Sequence, residues 1–259
     1  MSRSRKNVAE LPLTVYPEDE RLRNIGMQIQ ETRRLVYDGG RVFTPDTSLK
    51  RIIGSLPSSG GVAFLSEGTW FINDGISTSR SNITLAAVVP GRTIIKRTSS
   101  TSTADMIELT GTGCRLVGLR FNDSQARASA VVLKGNRGAV VDCIADDCYN
   151  FVTISGANWC EVRGSHVISA RNRGVDATGT CAHLMLDSNR FESTTAEDIY
   201  LGDSVSSTAI IGNILDYSTG NISLRGAAAG VPGIMADPDY SLGLHNLNSM
   251  NHANVTQRS

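Results

Sequence analysis

The sequence predicts an all-β protein, a right-handed single-stranded parallel β-helix of about nine rungs with an N-terminal helical segment and a capping helix. A short motif, apolar–any–apolar followed by glycine or another small residue, recurs along most of the 259 residues. Glycine is also abundant (25), whereas aromatic residues make up only 5% of the chain. Self-similarity at a fixed period of roughly 20 to 50 residues is typical of solenoid folds, in which each repeat packs only against its neighbours.

The repeated motif has nine starts, which are separated by 20 to 24 residues. The starts are Val62, Ile83, Ile107, Val131, Val152, Val175, Ile199, Ile222 and Leu242. A second alternating apolar stretch follows most of them, so that one period holds two or three short strands. A βαβ unit needs roughly 30 residues, which is more than one period offers. The first and third residues of each motif are therefore expected to point into a coil of stacked strands.

The stretch "SLKRIIGSLPSSGGVAFLSEGTWFI", residues 48–72, begins that coil. It combines a short amphipathic segment, a glycine pair at Gly60 and Gly61, and two short strands. This order resembles the first segment of the pectate-lyase-like (pectin-lyase-fold) superfamily, although Ser66 and Trp70 replace its usual proline and tyrosine. The resemblance spans about residues 47–244. It implies the β-helix and a helix over its open end, but no particular chemistry.

The pattern divides the chain into three parts. Residues 1–46 form an attachment or assembly segment, 47–245 the β-helix with its capping helix, and 246–259 a polar C-terminal tail. Within the first part, residues 17–40 predict a helix, because Leu22, Ile25, Ile29 and Val36 keep helical spacing. Packing along the β-helix and self-association or docking into a larger particle both stay open for this helix.

Composition excludes several classes of protein. Lys plus Arg (25) balances Asp plus Glu (25), so nothing in the charge favours nucleic acid as a partner. The five cysteines are odd in number and form no C-x-x-C pair, which favours buried free thiols over disulfides or a zinc site. No apolar run approaches transmembrane length, and none follows the basic N-terminus. We expect no membrane insertion, no cofactor and no metal, and synthesis in the bacterial cytoplasm without a signal peptide.

An acidic column beside an aromatic column is the candidate ligand site. Counted from the motif starts, acids at offset 16 or 17 and tyrosines at offset 18 recur on several rungs. Besides Asp123, the column comprises Asp147, Tyr149, Glu192, Asp216, Tyr217, Asp239 and Tyr240, which are the expected glycan-binding residues. Tyrosine rings stack on pyranose rings and carboxylates accept hydroxyl protons.

Carboxylates on adjacent rungs of that column would lie about 5 Å apart, close to the retaining-glycosidase separation. Catalysis, binding without turnover and ordinary turn chemistry therefore all stay open, and no catalytic residue is assigned. Glu108 and Asp176 share another outward column but lie three rungs apart, which is too far for them to act as a pair. The chain has no basic cluster like the one that serves metal-bound uronates in pectate lyases, which counts against lyase activity.

A β-helix behind a helical segment and a basic tail looks like a spike or fibre component of a tailed phage. Spikes of that kind use pectin-lyase-like β-helices, usually as trimers, to engage host polysaccharide. The resemblance implies a structural spike or spike base on the virion surface, a homo-oligomer with a trimer favoured. It would be mounted on other virion proteins by residues 1–46, with host cell-surface polysaccharide as a candidate ligand. The alternatives are a polysaccharide-degrading enzyme, hydrolase before lyase, and an assembly protein without glycan affinity.

Overall fold

The structure is a computed structural model that describes residues 41–98, 103–123, 127–215, 222–225, 235–236 and 256–258. All of them belong to one compact unit, Gly40–Ser259. The predicted helix of residues 17–40 lies outside the described residues, as does the motif start at Leu242.

The described strands form three long parallel sheets that run along the coil. Sheet A has the order β1 (Arg41–Phe43), β2 (Gly61–Leu65), β5 (Ile83–Ala87), β8 (Arg115–Val117), β11 (Ala139–Val141), β14 (Glu161–Arg163), β18 (Met185–Asp187), β22 (Ala209–Ile211) and β25 (Met235–Ala236). Sheet B has the order β3 (Gly68–Ile72), β6 (Thr93–Arg97), β9 (Arg120–Asn122), β12 (Ile144–Asp146), β15 (His166–Val167), β19 (Arg190–Phe191) and β23 (Ile214–Leu215). Sheet C has the order β4 (Ile76–Thr78), β7 (Ile107–Leu109), β10 (Ser129–Leu133), β13 (Asn150–Ser155), β16 (Val175–Thr178), β20 (Ile199–Leu201), β24 (Ile222–Arg225) and β26 (Thr256–Arg258). Two short strands, β17 (Cys181–Ala182) and β21 (Val205–Ser206), pair with each other.

Each turn of the coil visits sheets A, B and C in that order, which confirms the predicted parallel β-helix. The described residues make about seven complete turns, since sheet B has seven strands, rather than the predicted nine. The motif starts at Val62 and Ile83 lie in sheet A, whereas those from Ile107 to Ile222 lie in sheet C. All three sheets share the same apolar alternation, so the pattern alone does not tell which sheet a start belongs to.

The predicted capping helix and strand pair of residues 48–72 are confirmed. Helix α1 (Leu49–Ser55) begins after Ser48, whose side chain accepts a hydrogen bond from the backbone N–H of Arg51 at 3.3 Å. Its apolar residues, Leu49, Ile52 and Ile53, are buried in the same core as the first strands. The helix thus closes one end of the apolar interior, while β2 and β3 begin the first turn.

The core consists of side chains that stack from rung to rung. In sheet B one inward column comprises Trp70, Ile95, Phe121, Ala145, Val167 and Phe191, all buried. A second column of buried residues lies at the turn from sheet A to sheet B. It includes polar side chains, those of Asn189 and Asn213. Their side-chain amides donate to the carbonyls of Val162 and Leu186, both at 2.8 Å. These bonds satisfy buried amides and hold the turns in register.

Candidate functional site

Three of the predicted glycan-binding residues, Asp147, Tyr149 and Glu192, lie in the described part of the chain. The other four, Asp216, Tyr217, Asp239 and Tyr240, lie outside it. Tyr149 is half-buried, and its backbone carbonyl accepts the N–H of Asn172 at 2.9 Å.

Asp147 and Glu192 do not lie in the same column. Val167 pairs with Ala145 on one side and with Phe191 on the other. Glu192 therefore lies at the same register position as Asp146, whereas Asp147 lies one position further along the chain. The carboxylates that the sequence predicts to form one column therefore lie at two neighbouring register positions.

The carboxylates on this side of the coil contact basic side chains of the same chain. Asp147 Oδ1 lies 3.3 Å from Arg171 Nε. Glu192 Oε1 lies 3.0 Å from His166 Nε2 and 3.1 Å from Arg190 Nη2. Asp146 pairs with Arg120, and the buried Asp123 pairs with Arg97 at 3.0 Å. Along the described rungs, this face is a surface of charges that neutralise one another.

A second group of charges, which the sequence did not predict as a group, surrounds Arg173 on the outer face of sheet C. Arg173 Nε lies 2.8 Å from Glu197 Oε2, and its Nη1 lies 3.0 Å from Asp176 Oδ1. Its guanidinium carbon lies 3.6 Å above the centre of the Tyr200 ring. We call these four residues the Arg173 cluster. Asn150 Oδ1 supports it by accepting the backbone N–H of Arg173 at 3.2 Å.

Strand register explains how the Arg173 cluster forms. Asp176 in β16 pairs with Tyr200 in β20, so both side chains point outward on adjacent rungs. The same column contains Glu108, three rungs away, which confirms that Glu108 and Asp176 cannot act together. Glu108 instead contacts Lys134 at 2.9 Å.

Asp176 has an unusual electrostatic environment. It is only 9% exposed, and burial raises the pKa of its carboxyl because the charged form is poorly hydrated. Arg173 acts in the opposite direction and lowers that pKa, while the charge of Glu197 raises it further. A carboxyl with a raised pKa beside a second carboxylate is an arrangement that acid–base catalysts use, although here the guanidinium contacts both groups.

A third feature lies at the turns that lead from sheet C to sheet A. On successive rungs these turns place a non-glycine residue in the left-handed region, with φ of 59° at Arg137, 61° at Trp159, 57° at His183 and 50° at Ser207. Backbone hydrogen bonds link the turns from rung to rung, as from Trp159 N–H to the Ala182 carbonyl at 2.9 Å. The turn column therefore projects one side chain from each rung at the same corner of the coil.

Two of those side chains form an exposed aromatic stack. The rings of Trp159 and His183 lie 4.0 Å apart between centroids and are inclined by only 16°. Trp159 is nonetheless 59% exposed. Beside the stack lies a shallow groove of about 370 Å³, which we call the Trp159 groove. It is lined by Trp159, Cys160, Glu161, His183, Leu184, Met185 and Ser207.

Glu161 gives the Trp159 groove its charged edge. It points outward from β14 and pairs in register with Met185, which is 43% exposed. Its Oε1 lies 3.2 Å from Arg163 Nε, and its Oε2 lies 3.9 Å from Arg115 Nη2. The groove thus combines a flat aromatic surface, an exposed thioether and a carboxylate that forms ion pairs with two partly exposed arginines.

Other kinds of site find no support in the described residues. No three His, Cys, Asp or Glu side chains among them come together in a way that could hold a metal ion. The five cysteines are all buried and free. In the described ranges, no helix has both the length and the apolar character needed to cross a membrane.

Comparison with known proteins identifies the fold. No family model matches the chain, and no curated protein matches it. Among solved structures, the pectin methylesterase PemA from Erwinia chrysanthemi is similar, with a TM-score of 0.52 and 14% identity over 71% of this chain and 70% of that one. A pectin methylesterase in complex with a hexasaccharide gives a TM-score of 0.51 and 14% identity over 70% of this chain.

A protein of Geobacillus virus E2, ORF18, is also similar, with a TM-score of 0.48 and 15% identity over 82% of this chain. The chain spans 59% of the length of that virus protein and 66% of the length of the enzyme in the hexasaccharide complex. At such identities, the pectin methylesterases show the fold alone, which is the right-handed parallel β-helix of pectin-lyase-like proteins. The fold predicted from the resemblance is confirmed.

Proposed function

We propose that the chain is a spike or spike-base component of a tailed phage or phage-like particle, displayed on the virion surface, that binds host surface polysaccharide on the side of its coil. The observation that carries the proposal is the outer surface of the described turns. Many of its charged side chains contact one another, and its groove at Trp159 is shallow. A stiff stack of parallel strands with such a surface suits a load-bearing element that holds a saccharide without enclosing it.

The sequence supplies the support for attachment. Residues 1–46 combine a basic start with a helical pattern, and we expect this segment to mount the β-helix on other virion proteins and to hold a homo-oligomer together, with a trimer favoured. Since β1 (Arg41–Phe43) already belongs to sheet A, pairing with β2, a truncation that tests the segment has to end before it.

Mass photometry of the full chain and of a variant lacking residues 1–39 tests the mounting role. We expect a defined oligomer for the full chain and a monomer after truncation. Unchanged β-sheet circular dichroism and an unchanged thermal midpoint would show that the coil itself is intact. A full chain that is monomeric, or a truncated chain that keeps the same oligomer, would contradict the proposal.

A polysaccharide-degrading enzyme, a hydrolase before a lyase, is the second candidate, and the Arg173 cluster is the observation that favours it. Asp176, with its raised pKa, could serve as a general acid, and Glu197 as the paired carboxylate. The reaction would require a substrate to displace the guanidinium of Arg173 from at least one of these carboxylates.

Release of new sugar ends from bacterial capsules and lipopolysaccharides tests this candidate. If the enzyme exists, Asp176→Asn and Glu197→Gln should each abolish the release, whereas Glu108→Gln, on the same face but three rungs away, should not. If the protein binds a polysaccharide but does not shorten it over many hours, the enzyme hypothesis is rejected and the spike hypothesis remains.

A further inference from the structure

We propose that the Trp159 groove is a saccharide subsite, in which a pyranose ring packs on the Trp159–His183 stack and donates hydroxyl protons to Glu161. This inference rests on the proposed function, because it names the place at which the polysaccharide binds. It assigns the binding to the turns between sheets C and A, away from the acidic column that the sequence predicts.

The backbone at Trp159 is the first argument. A bulky side chain at φ 61° is sterically unfavourable. At the corresponding left-handed position of the turns from sheet A to sheet B, glycines on three rungs alternate with Asp142 and Ser188, at φ of 53° and 54°. The left-handed conformation belongs to this turn, since Arg137, His183 and Ser207 share it, but the presence of tryptophan, the bulkiest residue type, at an exposed left-handed position points to function.

The exposure of the ring is the second argument. Trp159 leaves most of its surface in water, and within the described part of the chain its ring stacks on one other ring, 4.0 Å away. That partner, His183, belongs to the next rung, so the two ring planes are fixed by the coil rather than by a flexible loop. A flat surface that is ordered before binding loses little conformational freedom when a ligand packs on it.

The polar edge of the groove selects the ligand chemistry. A pyranose ring has an apolar face of C–H groups and an edge of hydroxyl donors. The aromatic stack matches the face, and the carboxylate of Glu161, which forms ion pairs with Arg163 and Arg115, matches the edge.

The size of the groove argues for a saccharide rather than a protein. A volume of about 370 Å³ falls within the range of small-ligand sites, which is roughly 300 to 1,000 Å³. A stable protein interface needs about 800 Å² on each partner with an apolar centre. Glu161 lines the groove on sheet A and contacts Arg163 and Arg115, and such charged groups are poorly suited to that centre.

Binding of the full-length protein to a printed panel of bacterial capsule and lipopolysaccharide glycans tests the subsite. We expect Trp159→Gly to weaken binding at least about tenfold, which corresponds to about 1.4 kcal/mol, since the variant loses both the ring contact and the apolar area that the ring buries against the sugar. His183→Ala should weaken it less. Phe71→Ala is the matched control, because Phe71 is 62% exposed but lies on sheet B, outside the groove.

The outcomes separate the subsite from the wider function. Binding that survives Trp159→Gly would overturn the subsite and leave polysaccharide binding in place. A wild-type chain that binds no glycan on the panel would overturn both. A Trp159→Gly variant with a changed oligomeric state would show that the groove is an interface between copies, which also overturns the subsite. Trp159→Asn, a residue that tolerates left-handed φ, repeats the test with a polar side chain.

Discussion

The Arg173 cluster and the Trp159 groove lie on neighbouring parts of one coil, yet their side chains are used in opposite ways. In the cluster, Arg173 contacts two carboxylates and a tyrosine ring, so its charge is balanced within the protein. In the groove, Trp159 has a costly backbone conformation and remains largely in water. Charges that are satisfied internally chiefly hold turns together, whereas an ordered and exposed ring is available to a ligand.

The largest effect is expected from removal of the central cation of the Arg173 cluster. Arg173→Ala leaves Asp176 and Glu197 partly buried without their partner, and we expect the free energy of unfolding to fall by about 3 kcal/mol. Urea denaturation measures it. Arg163→Ala, which removes an exposed ion pair to Glu161, is the control and should change stability by less than about 1 kcal/mol. Equal effects of the two variants would show that the cluster is not a structural element.

A smaller effect is expected from pH. The pKa of Asp176 is higher in the folded state than the ordinary value of 3.8, so ionisation of this group disfavours folding. As the pH falls from 7 through that raised pKa towards 3.8, the folded protein takes up the proton first, and wild type should gain stability relative to Asp176→Asn. Urea denaturation at several pH values measures the difference, and Glu108→Gln is the control. A relative loss of stability in acid would contradict the raised pKa.

The smallest effect is expected from Trp159→Gly, measured as a change in stability. Loss of the ring stack costs about 1 kcal/mol, while relief of the left-handed conformation returns about 1 kcal/mol. We therefore expect the free energy of unfolding to change by less than about 1 kcal/mol, even though glycan binding weakens at least about tenfold. A large destabilisation would mean that the tryptophan serves the fold, and the contrast with the Arg173 cluster would disappear.

The relative positions of residues within one sheet could be predicted from the sequence, whereas the relative positions of residues separated by a turn could not. The distance along the chain from a motif start in sheet C to the inward-pointing residue of the next sheet B strand differs between rungs. It is 14 residues from Val131 to Ala145 but 16 residues from Val175 to Phe191. Turn length thus varies, and counting by offset placed Asp147 and Glu192 in one column although the register separates them. No physical rule fixes the length of a solvent-exposed turn.

The features that sequence reasoning missed nonetheless left a signal. Trp159 and His183 are separated by 24 residues, as are Asp176 and Tyr200, and 24 residues is a spacing that recurs between motif starts. Equal spacing indicates which side chains are neighbours on adjacent rungs. It does not indicate that the turn bearing Trp159 is left-handed or that Arg173 reaches over Tyr200, because both depend on the local backbone.

Acrylamide quenching of tryptophan fluorescence tests the role of Trp159 most directly. The chain has two tryptophans, and Trp70 is buried in the core at 1% exposure, so quenching of the folded protein reports chiefly on Trp159. With a bound glycan from the panel, we predict that the quenching constant falls and the emission shifts to shorter wavelength, because the saccharide covers the ring. A glycan that binds while quenching and emission stay unchanged would contradict the assignment of the Trp159 groove.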